Sequence, residues 1–338
     1  MYKFSLILLA FFTLPTLAAE PTAFSKHDNI TCAQPAGFKL TTDIYVPTTG
    51  KDSYPVVVII HGGGWLINDN SIMNDMSEYL AAEGEFVVAN MNYRLLGDNN
   101  NTTTLNQIVE DVMGGVLWVK EHIGNYKGDP ERMAITGDSA GGHLSAMTIL
   151  ARRNLASEGF ADGKLAFTPS YLPAGKTVEK IAKEDGLRLQ AAVISYGAFD
   201  MHAAAEGGFE SPDNFFWQMG GAEARGLFGK NIDVKDHPEY YRAVSPIFLI
   251  PAAEDDTLPP QFVHVGSLDQ TTPPTAVKAY ADALKEAGQP VNYTLYPELK
   301  HAFLDSGCSD YFGSCFTSHA VPVLDDIIAF LNQQLRAH

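Results

Sequence analysis

Ser139 lies between glycines in Gly137-Asp138-Ser139-Ala140-Gly141. A strand-like run, Arg132 to Thr136, leads into this stretch, and a helix-like run, Gly142 to Leu150, follows it. Gly-x-Ser-x-Gly between a strand and a helix describes a sharp turn that lifts the serine hydroxyl off the end of a sheet. Bulky neighbours do not fit such a turn, so glycines flank the serine. A serine hydroxyl is a weak nucleophile at neutral pH and needs a base, which in turn needs a carboxylate to orient it. The chemistry these residue types can do is acyl transfer through a covalent serine intermediate.

On a strand–turn–helix of this kind the acid and then the histidine come later in the chain than the serine. His143 is too near Ser139 in sequence to swing round onto it, and His202 and His237 fall in irregular stretches. His264 sits inside an apolar strand and reads as a core histidine. His301 follows the strand-like run Val291 to Tyr296 across a short loop, which is where a last strand delivers a base. Asp269 follows Gln261 to Val265 through Gly266-Ser267-Leu268, whereas Asp255 and Asp256 precede that run and Asp305 and Asp310 come after the histidine. The expected catalytic set is therefore Ser139, Asp269 and His301, with Asp138 bracing the turn. Donors for a tetrahedral oxyanion are expected from Gly63, Gly64 and Ala140. The first two belong to His61-Gly62-Gly63-Gly64-Trp65, where backbone must approach the substrate with no Cβ in the way. His61 is expected to brace that loop.

Alternating strand and helix signals must position these groups. Leu40, Thr42, Ile44 and Val46 alternate with polar neighbours, and Val56 to Ile60 is a continuous β-branched run suited to a strand buried on both faces. Ser71 is expected to cap a helix that Gly84 stops. Strands follow at 86–89, 133–136, 191–195, 261–265 and 291–296, with helices at 105–123, 274–287 and 321–335. The pattern predicts an α/β fold, a mostly parallel sheet covered by helices on both faces. Stretches 156–187 and 200–259 break the rhythm and are expected to be lid insertions in a single domain spanning 19–338.

Lys3, the apolar run Phe4 to Phe12 and the small residues Thr16 and Ala18 read as a signal peptide over residues 1–18, which predicts a secreted or periplasmic protein. No other run is long and apolar enough to span a bilayer. The net charge of −17 disfavours nucleic acid and anionic membranes as partners. Of three cysteines, Cys308 and Cys315 are spaced for a local disulfide and Cys32 is left over, although free thiols or a pairing through Cys32 fit the sequence too. The expected partner is a small-molecule or saccharide ester. No metal or organic cofactor is called for, and the oligomeric state is open.

Five segments together carry a resemblance: His61-Gly62-Gly63-Gly64-Trp65, Asn92-Tyr93-Arg94-Leu95, Gly137 to Gly142, Gly266-Ser267-Leu268-Asp269 and His301-Ala302-Phe303. The chain resembles the α/β-hydrolase superfamily, in the hormone-sensitive-lipase-like esterase group and its carbohydrate- and feruloyl-esterase-like relatives. That resemblance covers roughly residues 38–335. It implies a serine esterase acting on short-chain acyl esters, acylated carbohydrates among them, with Ser139, Asp269 and His301 as triad. A peptidase of the same fold and a non-catalytic binding relative are the alternatives. The chain departs from the family at Leu96-Gly97-Asp98, where Ala-Pro is common, and at Ala302, where glycine is common.

Overall fold

The computed structural model describes residues 23–161 and 163–336, so the signal-peptide reading of residues 1–18 lies outside the described residues. Eight strands carry the fold: β1 (Phe24–Ala33), β2 (Leu40–Pro47), β3 (Tyr54–Ile60), β4 (Val87–Met91), β5 (Gly128–Asp138), β6 (Ala191–Ser195), β7 (Gln261–Gly266) and β8 (Val291–Tyr296). They form one sheet in the order β1-β2-β4-β3-β5-β6-β7-β8. The β1–β2 and β2–β4 pairs are antiparallel, and every later pair is parallel. Val56 to Ile60 is wholly buried, as its unbroken β-branched run requires of a strand with helices over both faces.

Helix Asn74–Ala82 packs against helix Phe316–Gln334, and helix Leu105–His122 against helix Ala140–Leu150. This is the α/β-hydrolase fold. Parallel register gives the sheet its use. Ile60 lies beside Gly137, Asp138 beside Ser195, and Gly266 beside Tyr296. The loops that leave β3, β5, β7 and β8 therefore start at one edge, the carboxyl end of the strands, where ligands bind in sheets of this type.

Some elements differ from the sequence reading. β1 is an additional edge strand, polar and largely exposed, with Asn29 at φ 56° and a register shift between His27 and Ile30. Its polar face and bulge hide the alternation that marks a half-buried strand. Asp69, not Ser71, makes the N-terminal cap, accepting a hydrogen bond from Ser71 N–H ahead of a 3-10 turn, Asn70–Met73. The last helix begins at Phe316, five residues earlier than expected, and carries Pro322 inside it.

The two insertions go to different places. Stretch 156–187 packs along Leu105–His122, where Thr168 N–H and Tyr171 Oη donate to Glu110 and Glu121. It follows a helix rather than a strand, so it leaves from the far end of the sheet and lines neither cavity beside Ser139. Stretch 200–259 carries short helices Met201–Glu206, Phe215–Met219 and Pro238–Ala243, and its Phe216 lines the cavity at Ser139.

Candidate active site

Ser139 sits at φ 52°, ψ −116°, a conformation a non-glycine residue adopts only when its surroundings impose it. Its N–H donates to Ser195 O at 3.0 Å, which pins the turn to β6. A Cβ on Gly141 would come within 2.0 Å of Ile60 O. Only glycine lets the helix start this close to β3.

His301 lies between the other two expected residues. Its Nδ1 is 2.7 Å from Asp269 Oδ2 and its Nε2 is 3.0 Å from Ser139 Oγ. All three side chains are buried. The carboxylate can only accept, so Nδ1 carries the proton and Nε2 presents its lone pair to the serine hydroxyl. Asp269 is fixed from behind: its Oδ1 accepts from Thr271 N–H and Thr272 N–H, each at 2.9 Å. Thr272 Oγ1 adds a contact of 3.2 Å to Oδ2 while donating to Tyr196 O. Sequence reasoning missed Thr272; its only signal is its place three residues after the acid.

The glycine loop is braced as its neighbours suggest. His61 stacks on Tyr93 at 4.2 Å between ring centroids, and its Nδ1 is 2.7 Å from Gly62 O. Tyr93 Oη donates to His61 O. Burial pushes the His61 imidazole down to about 4, so it stays neutral and structural. Arg94 forms a buried two-pronged pair with Asp111, both contacts 2.7 Å, which explains the Tyr-Arg pair of the motif. Gly63 and Gly64 take φ of 116° and 58°, and their N–H groups donate to no group among the described residues. Ala140 is the first residue of its helix, where the N–H has no intrahelical partner. Gly63 lines the same cavity as Ser139. The departures also gain a reason: Ala302 sits at φ 59°, the left-handed region glycine favours, and Asn99, Asn100 and Asn101 form a left-handed turn.

Aromatic rings close the site. Phe216 from the second insertion lies on Gly64, where an added Cβ would meet its ring at 2.5 Å. Phe312 lies on His301, 5.2 Å between centroids, and Phe215 stacks on Tyr311 at 4.3 Å. Phe312 and Tyr311 ride on a loop closed by the Cys308–Cys315 disulfide. The cavity left at Ser139 is ≈ 20 Å³, room for about one water-sized group. Outside the His301–Phe312 wall lies a larger cleft of ≈ 520 Å³, with Gln270, Thr271 and Lys300 in its lining.

The remaining histidines are elsewhere. His143 Nε2–H donates to Val244 O at 2.8 Å, and burial holds its imidazole down at about 4. His264 pairs with Ser195 Oγ at 2.9 Å inside the sheet, with no carboxylate on its other nitrogen. That pair is a core contact between β6 and β7 and lines neither cavity at Ser139. Cys32 is free and buried, with its thiol pushed up to about 12. Among the described residues no group of three His, Cys, Asp or Glu side chains is arranged to hold a metal, and no helix is long and apolar enough to cross a membrane.

The BD-FAE family model matches residues 42–284, a span that holds the glycine loop, Ser139 and Asp269. The chain belongs to the BD-FAE family. It falls in the hormone-sensitive-lipase-like esterase group of the α/β-hydrolases. It is 28% identical over 250 residues to esterase LipQ of Mycobacterium tuberculosis, covering 74% of this chain and 50% of that protein. To isoprenylcysteine alpha-carbonyl methylesterase ICME of Arabidopsis thaliana it is 28% identical over 262 residues, covering 78% of this chain and 53% of that one. The chain thus spans about half the length of these two relatives. Carboxylesterase NlhH of Mycobacterium tuberculosis is 25% identical, with 80% of this chain and 74% of that one covered. Among solved structures, the apo form of Thermogutta terrifontis esterase 2 superposes with a TM-score of 0.65 at 21% identity, covering 96% of this chain and all of that one. At that identity the likeness is one of fold.

Proposed function

We propose that this protein is a serine carboxylic-ester hydrolase. The observation that carries the reading is His301, whose two ring nitrogens reach Asp269 and Ser139 at 2.7 and 3.0 Å. His301 Nε2 takes the proton of Ser139 as Oγ attacks the ester carbonyl carbon. The carbonyl oxygen becomes an oxyanion held by the N–H groups of Gly63, Gly64 and Ala140. His301 then returns the proton to the leaving alcohol. Water, deprotonated by the same imidazole, releases the acid from the acyl-serine.

The small cavity at Ser139 favours a short acyl group such as acetyl. Hydrogen-bonding Gln270, Thr271 and Lys300 beside Tyr311 and Phe312 fit a sugar as the leaving alcohol in the outer cleft. Residues 19–338 form one catalytic domain in this reading, with 200–259 as its lid. The leader-like first eighteen residues and the Cys308–Cys315 bridge support export to an oxidising compartment.

The test is turnover of nitrophenyl esters of graded chain length and of acetylated sugars, by wild type and two variants. Ser139→Ala should lower kcat by about 10⁶-fold and Asp269→Asn by about 10⁴-fold, each with an unchanged melting curve. Ester turnover near the wild-type rate in folded Ser139→Ala would sink the proposal.

A further inference from the structure

Asp138, expected to brace the turn, lines the cavity of Ser139 and His301. So does Asp305, four residues after His301 on the loop that follows it. In a chamber of only ≈ 20 Å³ the two carboxyl groups are neighbours. Oδ1 of each is buried and accepts from no donor, although Asp305 as a residue is partly exposed. Neither is ion-paired with a lysine or arginine among the described residues. Two carboxylates in buried contact repel, and neither has a hydrogen to give the other. The contact holds only while one of them is protonated.

We infer that Asp138 and Asp305 share one proton, and that this acid–carboxylate pair is a positioning device tying the nucleophile turn to the His301 loop. Asp138 also lies against the glycine loop, since a Cβ on Gly62 would meet its Oδ2 at 2.5 Å. The pair therefore joins the three segments that carry nucleophile, base and oxyanion donors. Burial raises both carboxyls, Asp138 to about 6 and Asp305 well above its ordinary value. The groups facing them are His301, the Gly62 backbone, and the phenols of Tyr93 and Tyr196. Both phenols are pushed far above the usual tyrosine range by burial and stay neutral. Among the described residues no lysine or arginine is ion-paired there to replace the proton once it leaves.

The consequence is a fall in activity on the alkaline side. When the shared proton leaves, like charges separate the His301 loop from the turn, and kcat drops while KM moves little. Asp305→Asn removes the need for the proton, because its amide donates to the Asp138 carboxylate at every pH. The net charge beside His301 is the same as in the singly protonated pair, so the acid limb stays in place. Asp305→Leu leaves Asp138 with no donor.

The inference rests on Ser139 and His301 acting as proposed, and two readouts separate its failure from theirs. The first is kcat and KM from pH 5 to 10 for wild type, Asp305→Asn and Asp305→Leu. Expected are an alkaline limb in wild type, its loss in Asp305→Asn, and a kcat lowered at least tenfold in Asp305→Leu. A wild-type profile flat to pH 10, or an alkaline limb unchanged in Asp305→Asn, overturns the shared proton. The second readout needs no activity. A carboxyl raised on folding makes stability fall as pH rises above its unfolded value, about 4, through its folded one. Wild type should therefore lose Tm relative to Asp305→Asn as pH rises, and a difference independent of pH overturns the inference even if no ester is turned over.

Discussion

The ring of Phe312 rests on that of His301, 5.2 Å between centroids, at the tip of a loop that the Cys308–Cys315 bridge closes. Ser314 Oγ from the same loop donates to His301 O at 2.7 Å. One short disulfide loop thus holds both the backbone and the ring of His301. It also separates the chamber of Ser139 from the outer cleft, because His301 and Phe312 line both.

Removing the bridge should therefore affect catalysis as well as stability. Closing a loop this short stabilises by about 2–3 kcal/mol in the chain-entropy model. Cys308→Ser with Cys315→Ser should lower Tm by several degrees and lower kcat at temperatures where the protein remains folded. Thermal melts and ester turnover at 20–25 °C check this. A variant that melts early but turns over at the wild-type rate would reduce the bridge to a staple.

Phe216 should set acyl length. Its ring fills the space over Gly64, so Phe216→Ala opens the chamber next to the nucleophile. Each extra methylene accommodated in an apolar pocket changes kcat/KM by about tenfold or more. The ratio of hexanoate to acetate turnover should rise by at least that factor. An unchanged ratio would place the acyl group elsewhere.

Stability should fall with acid over a defined window. Burial lowers His61 and His143 to about 4 and His264 to about 3, so all three fold neutral. In the unfolded chain they take protons below about 6.5, and the unfolded state then binds more protons than the folded one. The stability these histidines contribute is thus fully present above about 6.5 and is lost as pH falls toward 4, by about 1.4 kcal/mol per pH unit for each histidine. Asp138, Asp305 and Glu110, the last raised by burial to about 7, have the opposite slope over the same window, so the histidine share is read by difference. Between pH 7 and 4.5 the urea midpoint of wild type should fall relative to that of His143→Gln, which has no imidazole to protonate. A difference between the two that does not change with pH would mean His143 is not buried neutral.

The residues of the proposed triad were legible because each is tied to local chain geometry. Gly137 to Gly141 encodes its own turn, the apolar run Val56 to Ile60 names the strand that feeds the glycine loop, and Asp269 and His301 sit just past strands with clear apolar patterns. Chain order then leaves little choice among histidines. Edge strand β1 escaped because polar, half-exposed strands lack alternation, and the early start of the last helix was hidden by Pro322. What only tertiary structure decided is long-range contact: Phe216 over Gly64, Phe312 on His301, Thr272 behind Asp269, and Asp305 against Asp138. None of these pairs has a local signature, since each is made by side chains that separate elements bring together. Sequence spacing fixes which strand end a residue leaves from, while packing fixes which neighbour it meets and whether that neighbour keeps its proton.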